Sequence, residues 1–514
     1  MRQVKYITIL IITALSWGAC KKDFLTQYPQ GNLNEGNFYK TTADFQQAVV
    51  GAYAPLRDAA NYAFYMEEMR ADNAYFDYNT KDRGSVTTEQ VAEFLDNAST
   101  GVNNTLWTAD FNGVQRTNVI LDKIVDASAV PDSIKNQVIG EAKALRAHYY
   151  FELVRLFGPL PLYLHETTTA ASALVARSSV DSVYLQIEAD LTDALSKLAP
   201  PKFPQVGRVS KGSVSTELGM VYLTLKQYDK ASAILQTVTQ MGYSLLPNYA
   251  DIFTTANENS VESIFEIQYK SGTDGQSSPF IYRFIPATPH TLNILGVDFN
   301  NNTNNYGGWN VPTQDLISTY EPNDKRLDAS IAVTKGKIDA SQYFQPDSVT
   351  SVLNPATPGE TSKYFIRKYY HPPYAAIIDN TDQNWYIYRY ADVELMLAEA
   401  LNEQSQSAAA LPYLNNVRER AGLPDVTITD QTQLRDTIAH ERRVELAFEN
   451  HRWFDLVRTG QAIPVMTAYG IKQKATYSYL LPTSYNVTQN KMIYAIPFRE
   501  NQVNPTGLWQ NLGY

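Results

Sequence analysis

The chain has 514 residues, 53 acidic against 43 basic side chains, and 12% aromatic residues that include 35 tyrosines. It is long enough for a large core and too rich in apolar residues for a disordered chain. A formal charge of −10, with no Lys/Arg-rich run, argues against a nucleic-acid backbone as partner.

Arg2 and Lys5 precede the apolar run Ile7–Leu15 (ITILIITAL), and Gly18-Ala19 stand before Cys20, the single cysteine of the chain. This is the pattern of a secretory signal, too short for a stable membrane span. Cys20 resembles the acylated acceptor of a bacterial lipoprotein, with Trp17 where Leu is usual three residues earlier. Residues 1–19 are read as the signal peptide and 20–37 as a lipidated tether. Cleavage removes Arg2 and Lys5, leaving a mature charge of −12 and no possible disulfide, so stability rests on packing.

Helical spacing starts near Phe38 and runs to about Arg57, and returns over Thr105–Val125. A cleaner helix carries Ile134, Val138, Ala142, Leu145, Tyr149, Leu153 and Leu156, with Pro131-Asp132-Ser133 offering a cap and Gly158-Pro159 ending it. Val180–Leu198 is closed by Pro200-Pro201. Val209–Met241 reads as a tetratricopeptide-like helix pair, with Leu218-Gly219, Tyr222, Tyr228 and Ala231 at the right spacing. Gly219 and Ala231 matter because two helices cross closely only where side chains are small. Tyr388–Asn402 and Ala408–Ala421 read as a second, more degenerate pair. One such pair cannot bury its own apolar face, so its neighbours should stack on it.

Between these blocks, Ser260–Tyr269 alternates like a strand, and Ser271–Trp385 is rich in Asn, Gly, Pro, Thr and Tyr with few helical periods. A loop region that long is where function is usually carried. The six histidines show no metal spacing, and no HExxH, Walker or GxSxG pattern occurs. His148 therefore reads as packed within its helix. A calcium site at Asp324 or Asp328 has no EF-hand loop behind it, so the expectation is no metal and no cofactor.

The densest ionic stretch is Leu434–Gly460, where Glu441, Arg442, Arg443, Glu445, Glu449, Arg452, Asp455 and Arg458 interleave with Ile438, Val444, Phe448, Trp453 and Leu456. Opposite charges fall at i,i+3: Arg442–Glu445, Glu449–Arg452, Arg452–Asp455 and Asp455–Arg458. A hydrolytic pair at Glu441 and Glu445 would need one proton-carrying acid. Three arginines within reach hold both as anions instead. The stretch thus reads as a paired ionic clamp with no catalytic residue, and a folded Arg452→Ala variant is expected to keep its ligand affinity.

Glu441–Gly460, ERRVELAFENHRWFDLVRTG, resembles the C-terminal signature of the SusD/RagB family of outer-membrane nutrient-binding lipoproteins. Lys22–Thr41, Gly140–Leu162, Tyr388–Glu403 and Leu414–Pro424 resemble it too, in family order. Two positions depart: Asn450 stands where Gly is usual, itself suited to a left-handed turn, and Lys21-Lys22-Asp23 is only weakly acidic after the cysteine. The resemblance implies a mostly α fold, with tetratricopeptide-like helix pairs as scaffold, a long irregular loop-rich insertion and a few short strands. In this frame 38–270 is an N-terminal helical region, 271–387 the ligand-binding insertion, and 388–514 a C-terminal helical region with a tail. It also implies a non-catalytic protein lipid-anchored on the outer membrane and facing outwards. Such a protein delivers oligosaccharide to a SusC-like TonB-dependent transporter; peptide is the alternative ligand in some branches. A surface glycoside hydrolase and a helical-repeat adaptor are the readings from other classes.

A sugar offers C–H groups on one face and hydroxyls at its edge, so its site wants an aromatic platform with a polar rim. Asp72-Asn73-Ala74-Tyr75-Phe76-Asp77-Tyr78 and Asn304–Trp309 supply that mixture. The candidates are Asp72, Asn73, Tyr75, Tyr78, Tyr306 and Trp309, drawn from composition because the family's site loops vary. Trp107 and Trp453 are assigned to the core.

Overall fold

The computed structural model describes residues 38–79, 85–299, 306–354 and 358–514. The signal peptide, the tether and Cys20 lie outside the described residues. Four helix pairs follow one another: α1 (Thr42–Glu67) with α2 (Gly101–Ile124), α3 (Asp132–Phe157) with α4 (Val180–Lys197), α5 (Lys211–Thr224) with α6 (Tyr228–Val238), and α7 (Tyr390–Glu403) with α8 (Ser407–Ala421). Each pair also packs on the next, α2 on α3, α4 on α5 and α6 on α7, so the stack buries a continuous apolar seam. The C-terminal region continues with α9 (Gln431–Glu445), α10 (Arg452–Arg458) and α11 (Ala462–Thr476), and a short helix, Phe498–Val503, lies near its end.

The expected small-residue crossing is present. A Cβ added to Gly219 on α5 would sit 2.5 Å from Leu235 of α6, and Ala231 is fully buried. The first helix runs ten residues beyond its expected end, continuing through Pro55 to Glu67 because Ala60, Ala63 and Phe64 keep its buried face going. α3 ends at Gly158 as expected, with φ at 75°, but no side chain caps its start. Trp107 and Trp453 are core residues.

The strands are more numerous than the insertion's composition suggests. β1 (Ala74–Tyr75) pairs with β3 (Val311–Pro312), and β2 (Ser263–Ile267) pairs with β7 (Trp385–Arg389), all antiparallel. β2 was legible from its alternation, although both of its faces are buried. The insertion also holds a three-stranded antiparallel sheet, with β4 (Ile331–Ile338) between β5 (Phe344–Ser351) and β6 (Thr361–Ile366). Thr, Lys and Ser recur along these strands, so the stretch read as loop.

The ionic segment is two helices rather than one. α9 stops at Glu445 and α10 starts at Arg452, with Phe448 (φ 67°) and Asn450 (φ 66°) left-handed between them. The buried carboxylate of Glu68 holds this break by accepting the N–H groups of Phe448 at 3.0 Å and Asn450 at 3.1 Å. Of the four i,i+3 pairs read from sequence, only Asp455–Arg458 is an ion pair among the described residues, at 2.7 Å. Only Glu449–Arg452 spans the break; Arg442 turns instead to Asp392 and Asp455, Arg452 turns to Asp72, and the carboxylates also pair over long distances. Arg389 at the end of β7 holds Glu445 at 2.5 Å, Glu449 at 2.8 Å and Glu262 at 3.3 Å. Arg420 meets Glu445 at 2.5 Å, while Arg326 bridges Asp324, Glu441 and Glu445. Lys368 takes Glu449 at 2.7 Å, and Arg418 takes Glu441 at 2.9 Å. This lattice draws together the insertion, β7, α8 and α9.

A cavity of about 70 Å³ lies where α1, α2, α3, β7 and the break meet, lined by Glu67, Asp110, His148, Glu152, Arg155 and His451 among others. His148 packs as expected, with Nδ1 2.8 Å from Glu217. Burial, reinforced by the Glu152 carboxylate, pushes Glu67 and Asp110 well above the ordinary carboxylate range. The folded chain therefore binds these protons more tightly than the unfolded chain, and stability falls as pH rises from about 4.5 through the folded-state values. Glu67→Gln removes one such group. It is expected to match the parent at low pH and to exceed its stability above neutrality by about 1 kcal/mol or more. Thermal melts across pH check this; parallel curves for the two proteins would refute it.

Candidate ligand-binding surface

Two loops meet through the β1–β3 ribbon. One follows α1 and carries Tyr75, Phe76 and Tyr78; the other carries Trp309 into β3. Tyr75 pairs with Val311 and Ala74 with Pro312, while Asp77 donates its N–H to Gly308 O at 2.7 Å. Gly307 and Gly308 both have left-handed φ, and a Cβ on Gly307 would lie 2.1 Å from the Ile285 carbonyl oxygen. The turn therefore has room only for glycine there, and it sets the direction of Trp309.

A third segment closes the surface: Tyr477 and Tyr479, just after α11. The rings form an unbroken row. Tyr65 meets Trp309 edge-on at 5.2 Å, Trp309 lies 6.5 Å from Phe76, and Phe76 lies 6.3 Å from Tyr479. Tyr479 stacks on Tyr78 at 3.6 Å with planes 2° apart and lies 5.6 Å from Tyr477. Tyr477 closes on Tyr75 at 5.8 Å and donates its hydroxyl to the Tyr75 oxygen at 3.2 Å. Tyr65 and Phe76 are buried beneath the row, whereas Tyr75, Tyr78, Trp309, Tyr477 and Tyr479 are half-buried and keep surface open. Burial, then the neighbouring Tyr477, pushes the Tyr75 hydroxyl well above its ordinary range, so it stays a neutral donor.

Two sets of paired charges lie beside the row. Lys363 pairs with Asp77. Asp315 receives Lys472 at 2.7 Å and Arg443 at 3.0 Å. Burial works against the Asp315 anion, but these hydrogen bonds hold its carboxyl below the ordinary value.

Of the six sequence candidates, Tyr75, Tyr78 and Trp309 come together in the row. Tyr306 does not join it: its ring packs on Phe299 at 5.5 Å in a separate apolar cluster, and its backbone bridges Thr288. Asp72 and Asn73 are no rim either. Both are buried under the ribbon. Asp72 is clasped by Arg452 at 2.8 Å and Arg443 at 3.0 Å. Burial raises the Asp72 carboxyl, but the two arginines together bring it below its ordinary value. Asn73 accepts from Arg443 at 2.9 Å and donates to Glu68 at 3.0 Å. Tyr477 and Tyr479 were missed; their only sequence signal is the aromatic i,i+2 alternation of YSY, which puts two rings on one side of an extended segment.

The alternative sites close up. Glu441 and Glu445 are fully buried in the arginine lattice, beyond the reach of a substrate. Asp324 pairs with Arg326 and Asp328 with Arg367, each at 2.8 Å.

Comparison with known proteins agrees with the architecture. The family model described as SusD family matches residues 221–514, and the one described as starch-binding, associating with outer membrane, matches residues 23–223. SusD-like protein P38 of Formosa agariphila is 28% identical over 553 aligned positions spanning 100% of both chains. A solved laminarin-binding SusD-like protein is similar with a TM-score of 0.72 at 27% identity, covering 93% of this chain and 100% of its own. A SusD homologue from Bacteroides thetaiotaomicron shares the fold with a TM-score of 0.78 at 22% identity, covering 95% of this chain and 100% of its own.

Proposed function

We propose, from the premise that this chain belongs to the SusD family, that it binds a neutral glycan on the aromatic row and hands it to a transporter. The observation that carries the reading is the row itself: five half-buried rings on three segments, Trp309 joined to the other four through the buried Phe76, with the Lys363–Asp77 and Lys472–Asp315 pairs beside them. Sugar rings bury their C–H faces on such platforms and meet hydroxyl partners at the edge. A sulfated or uronic polymer would be met by unpaired Lys or Arg, whereas two described cations beside the row, Lys363 and Lys472, are held by Asp77 and Asp315. The laminarin-binding relative supports a neutral glucan as the first ligand to try.

In this reading the protein is a non-catalytic binding lipoprotein, acylated at Cys20 and facing outwards, whose partner is a SusC-like TonB-dependent β-barrel. The outer-membrane association of the matched family supports that placement. Native affinity electrophoresis tests the ligand. Laminarin in the gel is expected to retard the protein, while a sulfated polysaccharide and a casein digest are not. Mobility unchanged across a panel of neutral polysaccharides would defeat the proposal, as would release of reducing ends by the purified protein.

A further inference from the structure

We infer that Arg443 and Arg452, from the ionic segment far along the chain, are positioning residues of the aromatic row: they fix the common root of the two loops that carry it. The inference rests on the ligand reading of that row. It departs from the sequence expectation that a folded Arg452→Ala variant keeps its affinity.

The geometry is that of a clasp. Arg443 on α9 donates Nε to Asn73 Oδ1 at 2.9 Å, Nη1 to Thr319 Oγ1 at 3.2 Å, and Nη2 to Asp315 Oδ2 at 3.0 Å and the Asp72 carbonyl at 3.3 Å. Asp72 and Asn73 immediately precede β1, and Asp315 and Thr319 follow β3, so one guanidinium spans both strands of the ribbon. Arg452 at the start of α10 takes both Asp72 oxygens, Nε to Oδ1 at 2.8 Å and Nη2 to Oδ2 at 3.0 Å. Thr313 adds the link between the strands. It donates Oγ1 to the Asp72 carbonyl at 2.8 Å and its N–H to the Asn73 carbonyl at 3.0 Å.

A two-residue ribbon has too few ladder bonds to hold itself in register. Its order has to come from outside, and the planar fork of arginine supplies several directed bonds at once where a lysine would supply a point charge. Tyr75 lies two residues beyond Asn73, and Trp309 four residues before Thr313, so slack at the root becomes displacement of both rings. The matched control is Arg458. It belongs to the same segment and pairs with Asp455 and Glu399, but touches neither loop.

The test uses the folded chain labelled with 5-fluorotryptophan, with the Trp309 fluorine resonance identified through Trp309→Phe. Arg443→Gln is expected to shift or broaden that resonance well below the melting temperature, and to weaken laminarin retardation at least tenfold. Arg458→Gln is expected to lower the melting temperature while leaving both the resonance and the retardation as in the parent. Arg443→Lys should restore the melting temperature more than the affinity. Asp315→Asn, a change at a half-exposed partner that leaves the core untouched, gives the same Trp309 shift in milder form and serves if Arg443→Gln does not fold. A Trp309 resonance unmoved in Arg443→Gln, or in Asp315→Asn where only that variant folds, overturns the inference. A resonance that moves while retardation is unchanged supports the clasp and overturns the ligand reading of the row instead.

Discussion

Arg389→Ala is expected to cost about 3–5 kcal/mol of folding stability, the loss that follows when a buried ion pair is broken from one side. The side chain is almost fully buried, and its guanidinium is the shared partner of Glu445, Glu449 and Glu262. Removing it strips a partner from three buried carboxylates at once, leaving Glu445 to Arg420 and Arg326, Glu449 to Lys368 and Glu262 to Arg420. The pH dependence gives the loss a signature. Burial would raise the Glu445 carboxyl, but Arg420, Arg389 and Arg326 hold it far below its ordinary value of 4.5, and Arg389 with Lys368 lowers Glu449 in the same way. A depressed carboxyl contributes stability that is present above the unfolded value and lost as pH falls through the folded one. The parent is therefore expected to lose stability on acidification below about 4.5, while Arg389→Ala, already deprived of part of that contribution, changes less. Urea midpoints at pH 7 and at acid pH measure both effects. A midpoint equal to the parent's at pH 7 would show that the lattice is not what fastens the segment.

The helical scaffold was legible because its determinants are local. Period 3.6 apolar spacing marks the long helices, and Gly219 with Ala231 marks a close crossing that the stack requires. The ionic character of Glu441–Arg458 was legible for the same reason, but its partners were not. Sequence spacing offers i,i+3 neighbours, whereas the partners of Glu441 and Glu445 are Arg326, Arg389, Arg418 and Arg420, brought in by tertiary packing. Asn450 was the one clue to the break between α9 and α10.

The candidate surface divides along the same line. Tyr75, Tyr78 and Trp309 stand in loops of mixed aromatic and polar residues, and composition alone singles them out. Tyr306 has the same composition around it, yet the two left-handed glycines that separate it from Trp309 send the two rings to different clusters. Asp72 and Asn73 have the side chains of a rim, but their arginine partners are some 370 positions away and draw them beneath the ribbon. Tyr477 bonds Tyr75 across 402 residues. No local pattern carries that pairing, so two of the row's five open rings, Tyr477 and Tyr479, were found only in three dimensions.

That division decides which aromatic substitutions separate binding from packing. Trp309→Ala and Tyr479→Ala are each expected to weaken glycan binding by about 2 kcal/mol, some 30-fold in Kd, since each removes a half-exposed ring from the platform. Tyr479 is the junction, touching Tyr78, Phe76 and Tyr477. Its loss should also free Tyr78 from its stacked pose, so Tyr78→Ala added to Tyr479→Ala should cost less than the sum of the two. Trp309 and Tyr479 share only Phe76 as a ring neighbour, and a glycan chain lying along the row meets them through different sugar units. Their losses should therefore come close to adding, and the double variant should show no retardation at all. Tyr306→Ala is the counter-case: its ring packs on Phe299, so the expected result is a lower melting temperature with unchanged Kd. Isothermal titration with laminarin oligosaccharides, at a temperature where every variant is folded, resolves these patterns. Full affinity in Trp309→Ala together with lost affinity in Tyr306→Ala would move the binding surface to the other aromatic cluster.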